Sequence, residues 1–586
     1  LDVLDLSDPK NPKLTDVLEM PGWVTHIEVR GTKLLALGVD DSDGTRNVAV
    51  SLFDVTDPAN AVMKARVRIG TGYTWSAANW EPKALTVVDE QNLVIVPFSS
   101  QGTDRYWGAP DNGIQLVEFD LAKGTLAAKG VIANSQPVSR TRAYGDRILA
   151  TSDYALQVVN AQDRANPKVI ANIQFVWNIQ DALPMGDIEV QLYSEGWEGA
   201  TGLRIVRPGA SDWDRPISEI PLNLTQVSLF PEGKTLFVLG INRAEVRLFT
   251  YDLSDPASPK LLGTVVKQMP ESTYPGGYGA PEKGGADVMP VYIYYSLRTV
   301  RLDNGLLAVM PDTYSGEQNK TILLFDISGG QPKALADLVV AFPGTGYGSY
   351  PYINNFLGSG KTLYLTYWGT DQYFLRRVSL ADPASPVQMT DLKIRGELIG
   401  AEPDGSAAYT TAYVYRYDGI MAQSSYSFNI YKLDQQSATL AWSAQFDNQS
   451  ITGARVSGGK AFLTLGSGAY YYGYGYEIGI RAEGDMKGGA PSVSLPQTDL
   501  VVLDLAASGP AVLGKLGMDG YASILEVSGN TVFVNGEGVL AAYSFAEGEL
   551  HFAGGLALRG YVNHLRPFTG GVLVSEGLYG TETLRY

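Results

Sequence analysis

Short, almost continuous apolar runs recur along this chain, each separated from the next β-branched run by a few polar or glycine residues. They include Lys33-Leu34-Leu35-Ala36-Leu37, Leu93-Val94-Ile95-Val96, Arg147-Ile148-Leu149-Ala150, Thr235-Leu236-Phe237-Val238-Leu239, Leu306-Leu307-Ala308-Val309, Thr362-Leu363-Tyr364-Leu365, Ala461-Phe462-Leu463-Thr464-Leu465, Thr531-Val532-Phe533-Val534 and Gly571-Val572-Leu573-Val574. Runs this short, bounded by turn residues, predict strands, and helical periodicity is nowhere sustained. Uniform apolarity in place of simple alternation predicts strands covered on both faces.

Turn chemistry repeats in step with these runs. Asp5-Leu6-Ser7-Asp8-Pro9, Asp54-Val55-Thr56-Asp57-Pro58, Asp252-Leu253-Ser254-Asp255-Pro256, Ser379-Leu380-Ala381-Asp382-Pro383 and a looser Asp326-Ile327-Ser328 with Pro332 each follow one strand and precede another. Asp and Ser side chains accept local backbone N–H groups and Pro ends the incoming strand, so each phrase marks a hairpin. Candidate first strands align as Gly22-Trp23-Val24-Thr25-His26-Ile27, Gly520-Tyr521-Ala522-Ser523-Ile524-Leu525 and Gly560-Tyr561-Val562-Asn563-His564-Leu565. A repeated four-stranded module is the signature of an all-β fold of the β-propeller type, here with roughly ten or eleven modules spaced about 40 to 70 residues apart. Closed propellers hold about four to eight blades, so this count favours two rings. Residues 1–20 read as third and fourth strands and 560–578 as first and second strands. The expected division is therefore 1–215, completed by 500–586, and 216–499 as a second set of blades. The first residue, Leu1, reads as part of a strand, which suggests a leader or a longer preceding segment.

Composition narrows the chemistry. The net charge of −17 leaves no basic surface to neutralise phosphates, which argues against nucleic acid. With no cysteine there are no disulfides, thiolate metal sites, c-type haem links or cysteine nucleophiles, and three histidines leave little for zinc or a triad. No apolar run reaches the roughly eighteen residues of a spanning helix. No nucleophile elbow, zinc-protease helix or nucleotide-binding loop is present, so neither haem nor nucleotide is expected and no catalytic residue stands out.

Residues 1 to about 100 resemble secreted bacterial and archaeal proteins that carry a C-terminal β-propeller domain, distant relatives of WD40-type propellers. The matching stretches run from Leu4-Asp5-Leu6-Ser7-Asp8-Pro9-Lys10-Asn11-Pro12-Lys13 through Pro21-Gly22-Trp23, Leu34-Leu35-Ala36-Leu37-Gly38 and Val50-Ser51-Leu52-Phe53-Asp54-Val55-Thr56-Asp57-Pro58. They end with Trp75-Ser76, Lys83-Ala84 and Val94-Ile95-Val96-Pro97. Where that family reads Asp-His-Lys-Ala this chain has Glu81-Pro82-Lys83-Ala84, so no role tied to that histidine carries over. The resemblance implies a secreted or surface-exposed bacterial or archaeal propeller without established catalytic activity.

Candidate sites are few. Asp40, Asp41 and Asp43, with Gly44 and Asn47, make an acidic loop whose oxygens suit Ca²⁺, although a solvated hairpin tip has the same composition. Asp212 with Asp214 and Glu483 with Asp485 are weaker carboxylate groups. His26 and His564 occupy equivalent places in aligned first strands, where they would line a channel or simply bond backbone. Tyr470, Tyr471, Tyr472, Tyr474 and Tyr476 alternate with glycine in a poor core strand, which predicts an exposed binding loop. Tyr413, Tyr415 and Tyr417 are expected to pack between blades. These features point to a protein-binding, adhesive or assembly module at the cell surface or outside the cell, taking a protein or an extracellular polymer as partner. The alternatives are an extracellular polysaccharide-active enzyme with a carboxylate pair, and a self-associating subunit of a surface filament or layer.

Overall fold

Each repeated phrase folds as two consecutive side-chain-capped turns. In the second copy, Asp54 Oδ1 accepts the Thr56 N–H at 3.0 Å, and Asp57 accepts the Ala59 N–H at 3.0 Å and the Asn60 amide at 2.7 Å. The backbone bonds recur from Asp5 and Asp8, with the Asn11 amide on Asp8 as well, and from Asp252 and Asp255. A further copy, Asn160 to Asn166, makes them too: Asn160 accepts from Gln162 N, and Asp163 accepts from Ala165 N and the Asn166 amide. Arg164 stands there in place of proline. The local hydrogen bonds, more than proline, therefore define the turn.

These turns join strands in a computed structural model that describes residues 2–101, 111–134, 136–195, 201–242, 245–270, 294–313, 319–343, 353–369, 371–417, 422–447, 449–467, 497–505 and 511–586. Among the described residues the chain is all-β apart from three short 3-10 turns, and its strands form twelve antiparallel sheets, mostly four-stranded in sequential order. Two compact units divide it: Leu1–Gln180, Gln191–Asn223 and Glu576–Thr581 form one, and Asp181–Val190, Leu224–Ser575 and Glu582–Tyr586 form the other.

The first unit opens with a hairpin of β1 (Asp2–Asp5) and β2 (Lys13–Val17). A sheet follows of β3 (Trp23–Arg30), β4 (Lys33–Asp40), β5 (Asn47–Asp54) and β6 (Val62–Ile69). The next contains β7 (Tyr73–Trp75), β8 (Thr86–Val88), β9 (Leu93–Gln101), β10 (Asp111–Asp120) and β11 (Thr125–Asn134). A third contains β12 (Arg140–Tyr144), β13 (Arg147–Thr151), β14 (Ala155–Asn160) and β15 (Lys168–Gln174).

In the second unit the first strands of successive sheets lie side by side: Thr225–Glu232, Tyr294–Arg301, Ile353–Ser359, Glu397–Ala401, Gln449–Ser457, Ala522–Ser528 and His564–Phe568. Successive, mostly four-stranded antiparallel sheets that touch through their first strands are propeller blades. The strand expected from Gly560 begins only at His564, and 564–585 supply a three-stranded sheet separate from the β1–β2 hairpin.

Why the second strands are apolar throughout is visible at Leu306–Thr313. Leu307 and Val309 join Phe237, Leu239 and Phe325 on one face, whereas Leu306, Ala308 and Met310 join Leu363, Leu365 and Tyr367 on the other. Phe462 and its neighbours Ala461 and Leu463 likewise enter different clusters. Each such side chain contributes about 1.5–3 kcal/mol of burial. Glycine is required where a first strand enters beneath a second: Gly22 and Gly396 have φ of 80° and 76°, and a Cβ there would lie 1.8 and 2.0 Å from the carbonyl oxygens of Val39 and Thr411. Phe462→Ala should cost about 3–5 kcal/mol in denaturant unfolding, since the residue is fully buried between two sheets. A loss under about 1 kcal/mol would mean that this interface is not a close-packed core.

Candidate functional site

The acidic loop at the β4–β5 turn is held by arginines of β6. Asp40 is buried, and its carboxylate accepts from Ser42 N at 2.9 Å and from Arg66 Nη1 at 3.1 Å. Arg66 also donates to Ser51 Oγ and to the Pro21 carbonyl, so the pair ties the loop to the chain entering β3. Burial pushes the Asp40 carboxyl up, but the Ser42 and Arg66 bonds outweigh it and hold the group below the usual carboxylate range. Asp43 accepts from Thr45 Oγ1 at 2.6 Å, Thr45 N at 3.0 Å and Arg68 Nη2 at 2.7 Å, and the Thr45 hydroxyl leads in holding its carboxyl well below that range. Asp41 is exposed, and its carbonyl accepts Gly44 N–H in the turn. Among the described residues no three histidine or acidic side chains are grouped as metal ligands.

His26 and His564 have different surroundings. His26 Nε2 lies 2.8 Å from Glu28 Oε1, Glu28 meets Arg30 at 3.1 Å, and Arg30 donates to Asp89 Oδ1 at 2.7 Å. This chain of polar side chains ties β3 to the next sheet, and the His26 bond is the chief cause that holds Glu28 low. A bulge between Val24 and His26 sets its direction. His564 is exposed at the first position of its strand, opposite Ser575.

Of the other candidates, Asp214 accepts from Ser211, while burial pushes Asp212 up despite Arg204 nearby. Tyr413 is more than half exposed and leans on Tyr426 with ring centres 4.9 Å apart, so it does not pack between blades as expected. Tyr470, Tyr471, Tyr472, Tyr474 and Tyr476, Glu483, Asp485 and the side chains of Tyr415 and Tyr417 lie outside the described residues.

The structure adds exposed aromatic rings on the first two full sheets, Trp23, Tyr73, Trp75 and Trp80, a rim outside the tyrosine runs of the sequence. β7 turns Tyr73 and Trp75 outward and Thr74 inward, where the Thr74 hydroxyl accepts Val48 N–H at 2.5 Å and its own N–H donates to the Arg46 carbonyl at 2.8 Å. The Arg46 guanidinium in turn lies 5.8 Å from the ring centre of exposed Trp23. After β7, Ser76 caps a 3-10 turn, accepting Ala78 N–H at 3.1 Å and donating to the Pro97 carbonyl at 2.5 Å. The turn ends at Trp80, also exposed, and Thr25 Oγ1 bonds Asn79 at 3.5 Å. Glu81 then caps the next turn through Lys83 N–H, with Pro82 in the first-turn position that suits proline. Glu81-Pro82 thus forms a capped 3-10 turn in this chain. The only sequence signal for the rim was the alternation Tyr73-Thr74-Trp75 after Gly70 and Gly72.

Known proteins resemble parts of this chain. The family described as "Beta propeller domain" matches residues 1–176, further than the hundred or so residues of the sequence resemblance and not at the C-terminal end of this chain. An uncharacterized protein of Methanocaldococcus jannaschii is 29% identical over 122 residues, covering 21% of this chain and 18% of that relative. One of Archaeoglobus fulgidus is 29% identical over 116 residues, covering 20% and 17%. The match therefore spans less than a fifth of these relatives' lengths. Among solved structures, the Dos1 propeller aligns over 70% of this chain and 94% of its own at 11% identity, with a TM-score of 0.39.

Asp40→Asn should destabilise the protein by about 3 kcal/mol at pH 7, because it leaves the largely covered Arg66 side chain without its counter-charge. Since the folded Asp40 titrates below its unfolded value, this stability is present above about pH 4 and is lost as pH falls through the folded value. Wild type and variant melting curves should therefore converge in acid. A constant gap down to pH 2 would contradict the pairing.

Proposed function

We propose that this chain is a protein-binding, adhesive or assembly module of a secreted or cell-surface bacterial or archaeal protein. It docks a protein or an extracellular polymer on the rim of Trp23, Tyr73, Trp75 and Trp80. The observation that carries this reading is the exposure of these rings on strands and capped turns fixed from beneath by Thr74, Ser76 and Glu81. Large rings held rigid bind at low entropic cost, and aromatic residues with arginine characterise interface centres. Arg46 over Trp23 supplies the cation. The tyrosine run from Tyr470 to Tyr476 belongs to the same reading as a second contact segment. The surface or extracellular location is supported by the resemblance of residues 1 to about 100.

Capture from the source organism's envelope or extracellular fraction tests it, with wild type beside Trp75→Ala and Trp80→Ala. A central aromatic contact is worth about 2 kcal/mol, so each variant should weaken binding roughly thirtyfold with an unchanged melting temperature. Equal capture by wild type and both variants would remove the rim from the account, and turnover of small metabolites without a macromolecular partner would overturn the reading.

Calcium at Asp40, Asp41 and Asp43 is part of the proposal as a stabilising ion that competes with Arg68 for Asp43. Its expected effect is a higher melting temperature in millimolar-range calcium than in chelator, abolished by Asp41→Asn with Asp43→Asn. The same melting temperature in both leaves this loop to its arginines.

A further inference from the structure

Asp212 stands in the first unit, in the loop 207–217 between the strands Thr201–Val206 and Ser218–Pro221. Bonds from within and from beneath fix that loop. Asp214 Oδ2 accepts from Ser211 N at 2.7 Å and from Ser211 Oγ at 2.9 Å, and the Asp214 carbonyl accepts from Arg204 Nη2 at 3.3 Å. Arg204 is buried, lies 4.4 Å from the Trp177 ring centre, and donates through Nη1 to Gln191 Oε1 at 2.9 Å. Gln191 in turn donates to Thr581 Oγ1 at 3.2 Å, next to a turn at 576–580 whose Gly577 exchanges both backbone bonds with Ile179. That turn reaches the loop: a Cβ on Gly580 would lie 3.5 Å from Asp212 Oδ1.

Exposed rings flank the Asp212 carboxyl. Trp213, the next residue, is 74% exposed and leans on Phe175 with ring centres 6.5 Å apart, and Tyr579, which precedes Gly580, is 55% exposed. The carboxyl itself is partly buried, and Arg204 Nη1 stands 4.0 Å from its Oδ1, beyond hydrogen-bond reach. Among the described residues none donates a hydrogen bond to it, and burial pushes it up against the pull of Arg204. A carboxylate desolvated on one side and short of donors gains most from a ligand that brings a positive charge. The faces of the neighbouring rings favour the same charge.

We infer that Asp212, Trp213 and Tyr579 form a docking site for a lysine side chain of a partner protein, its ammonium on the carboxylate and its methylene stem along the rings. Charge complementarity argues for this occupant at two scales, the open carboxylate locally and the net charge of −17 over the whole chain. The occupant is an ammonium and not a guanidinium because Oδ1 is turned towards Arg204 and Gly580, which leaves one oxygen. A single oxygen suits a point charge, whereas a guanidinium fork spans both oxygens of a carboxylate. The inference rests on the proposed function only in taking the partner to be a protein, and it uses none of the rim residues.

The test is saturation-transfer NMR with the capped tripeptide Gly-Lys-Gly, beside the same tripeptide carrying norleucine in place of lysine. The lysine peptide should bind saturably with a dissociation constant of about 1–10 mM, and the norleucine peptide about tenfold more weakly. Asp212→Asn and, separately, Trp213→Ala should each weaken the lysine peptide roughly fivefold with an unchanged melting temperature. Docking on the rim is read separately, by capture with Trp75→Ala and Trp80→Ala, so the loss of one reading leaves the other standing. Absence of saturable binding, equal binding of the two peptides, or wild-type affinity in either variant would overturn the inference. Tighter binding of free n-butylammonium than of the lysine peptide would overturn the assignment to a protein side chain.

Discussion

Every complete blade depends on one constraint: its second strand is covered on both faces. A strand with sheets on either side exposes no polar side, so alternate residues enter different cores, as Leu307 and Ala308 do. The fold is stable only where neighbouring sheets are present in the correct order, since each contributes half of two interfaces.

Charged groups in these cores are held in bonded sets such as the one around Arg376, while single hydroxyls such as those of Thr250 and Tyr364 are buried without a hydrogen-bond partner among the described residues. Arg376, on a third strand, pairs with Asp391, donates to the Ala341 carbonyl at 2.9 Å and lies 5.2 Å from the Phe342 ring, while Tyr367 donates to Asp391 at 2.6 Å. Burial and the Asp391 bond push the Tyr367 hydroxyl far above its usual range. Asp40 with Arg66 follows the same rule near the edge of a blade. Surface turns use a cheaper device, local bonds from Asp and Ser to the backbone, which explains why so many acids of this acidic chain are committed to turns.

These differences decide what was legible in the sequence. Each apolar second strand named from its pattern is a second strand in the structure, because two-sided burial leaves a local signature. Ile188–Ser194 and Ala407–Tyr417 lack that signature and were missed: the first carries buried Glu189 and Gln191, the second alternates polar residues and tyrosines. The phrase at Asn160 lacks the proline of the other copies, so only its Asx bonds mark the turn. The partners of Asp40 and Asp43 could not be read at all, since Arg66 and Arg68 come from a strand two positions across the sheet. The rim was half legible, in that its rings are plain in the sequence while the caps that fix them are not.

The central claim, that successive residues of one strand belong to separate cores, is open to a double-mutant cycle. Val309→Ala should couple with Leu239→Ala, in its own cluster, by about 0.5–3 kcal/mol, and should add with Met310→Ala, its neighbour in sequence but not in packing, to within about 0.5 kcal/mol. Coupling of Val309 with Met310 and additivity with Leu239 would contradict the account.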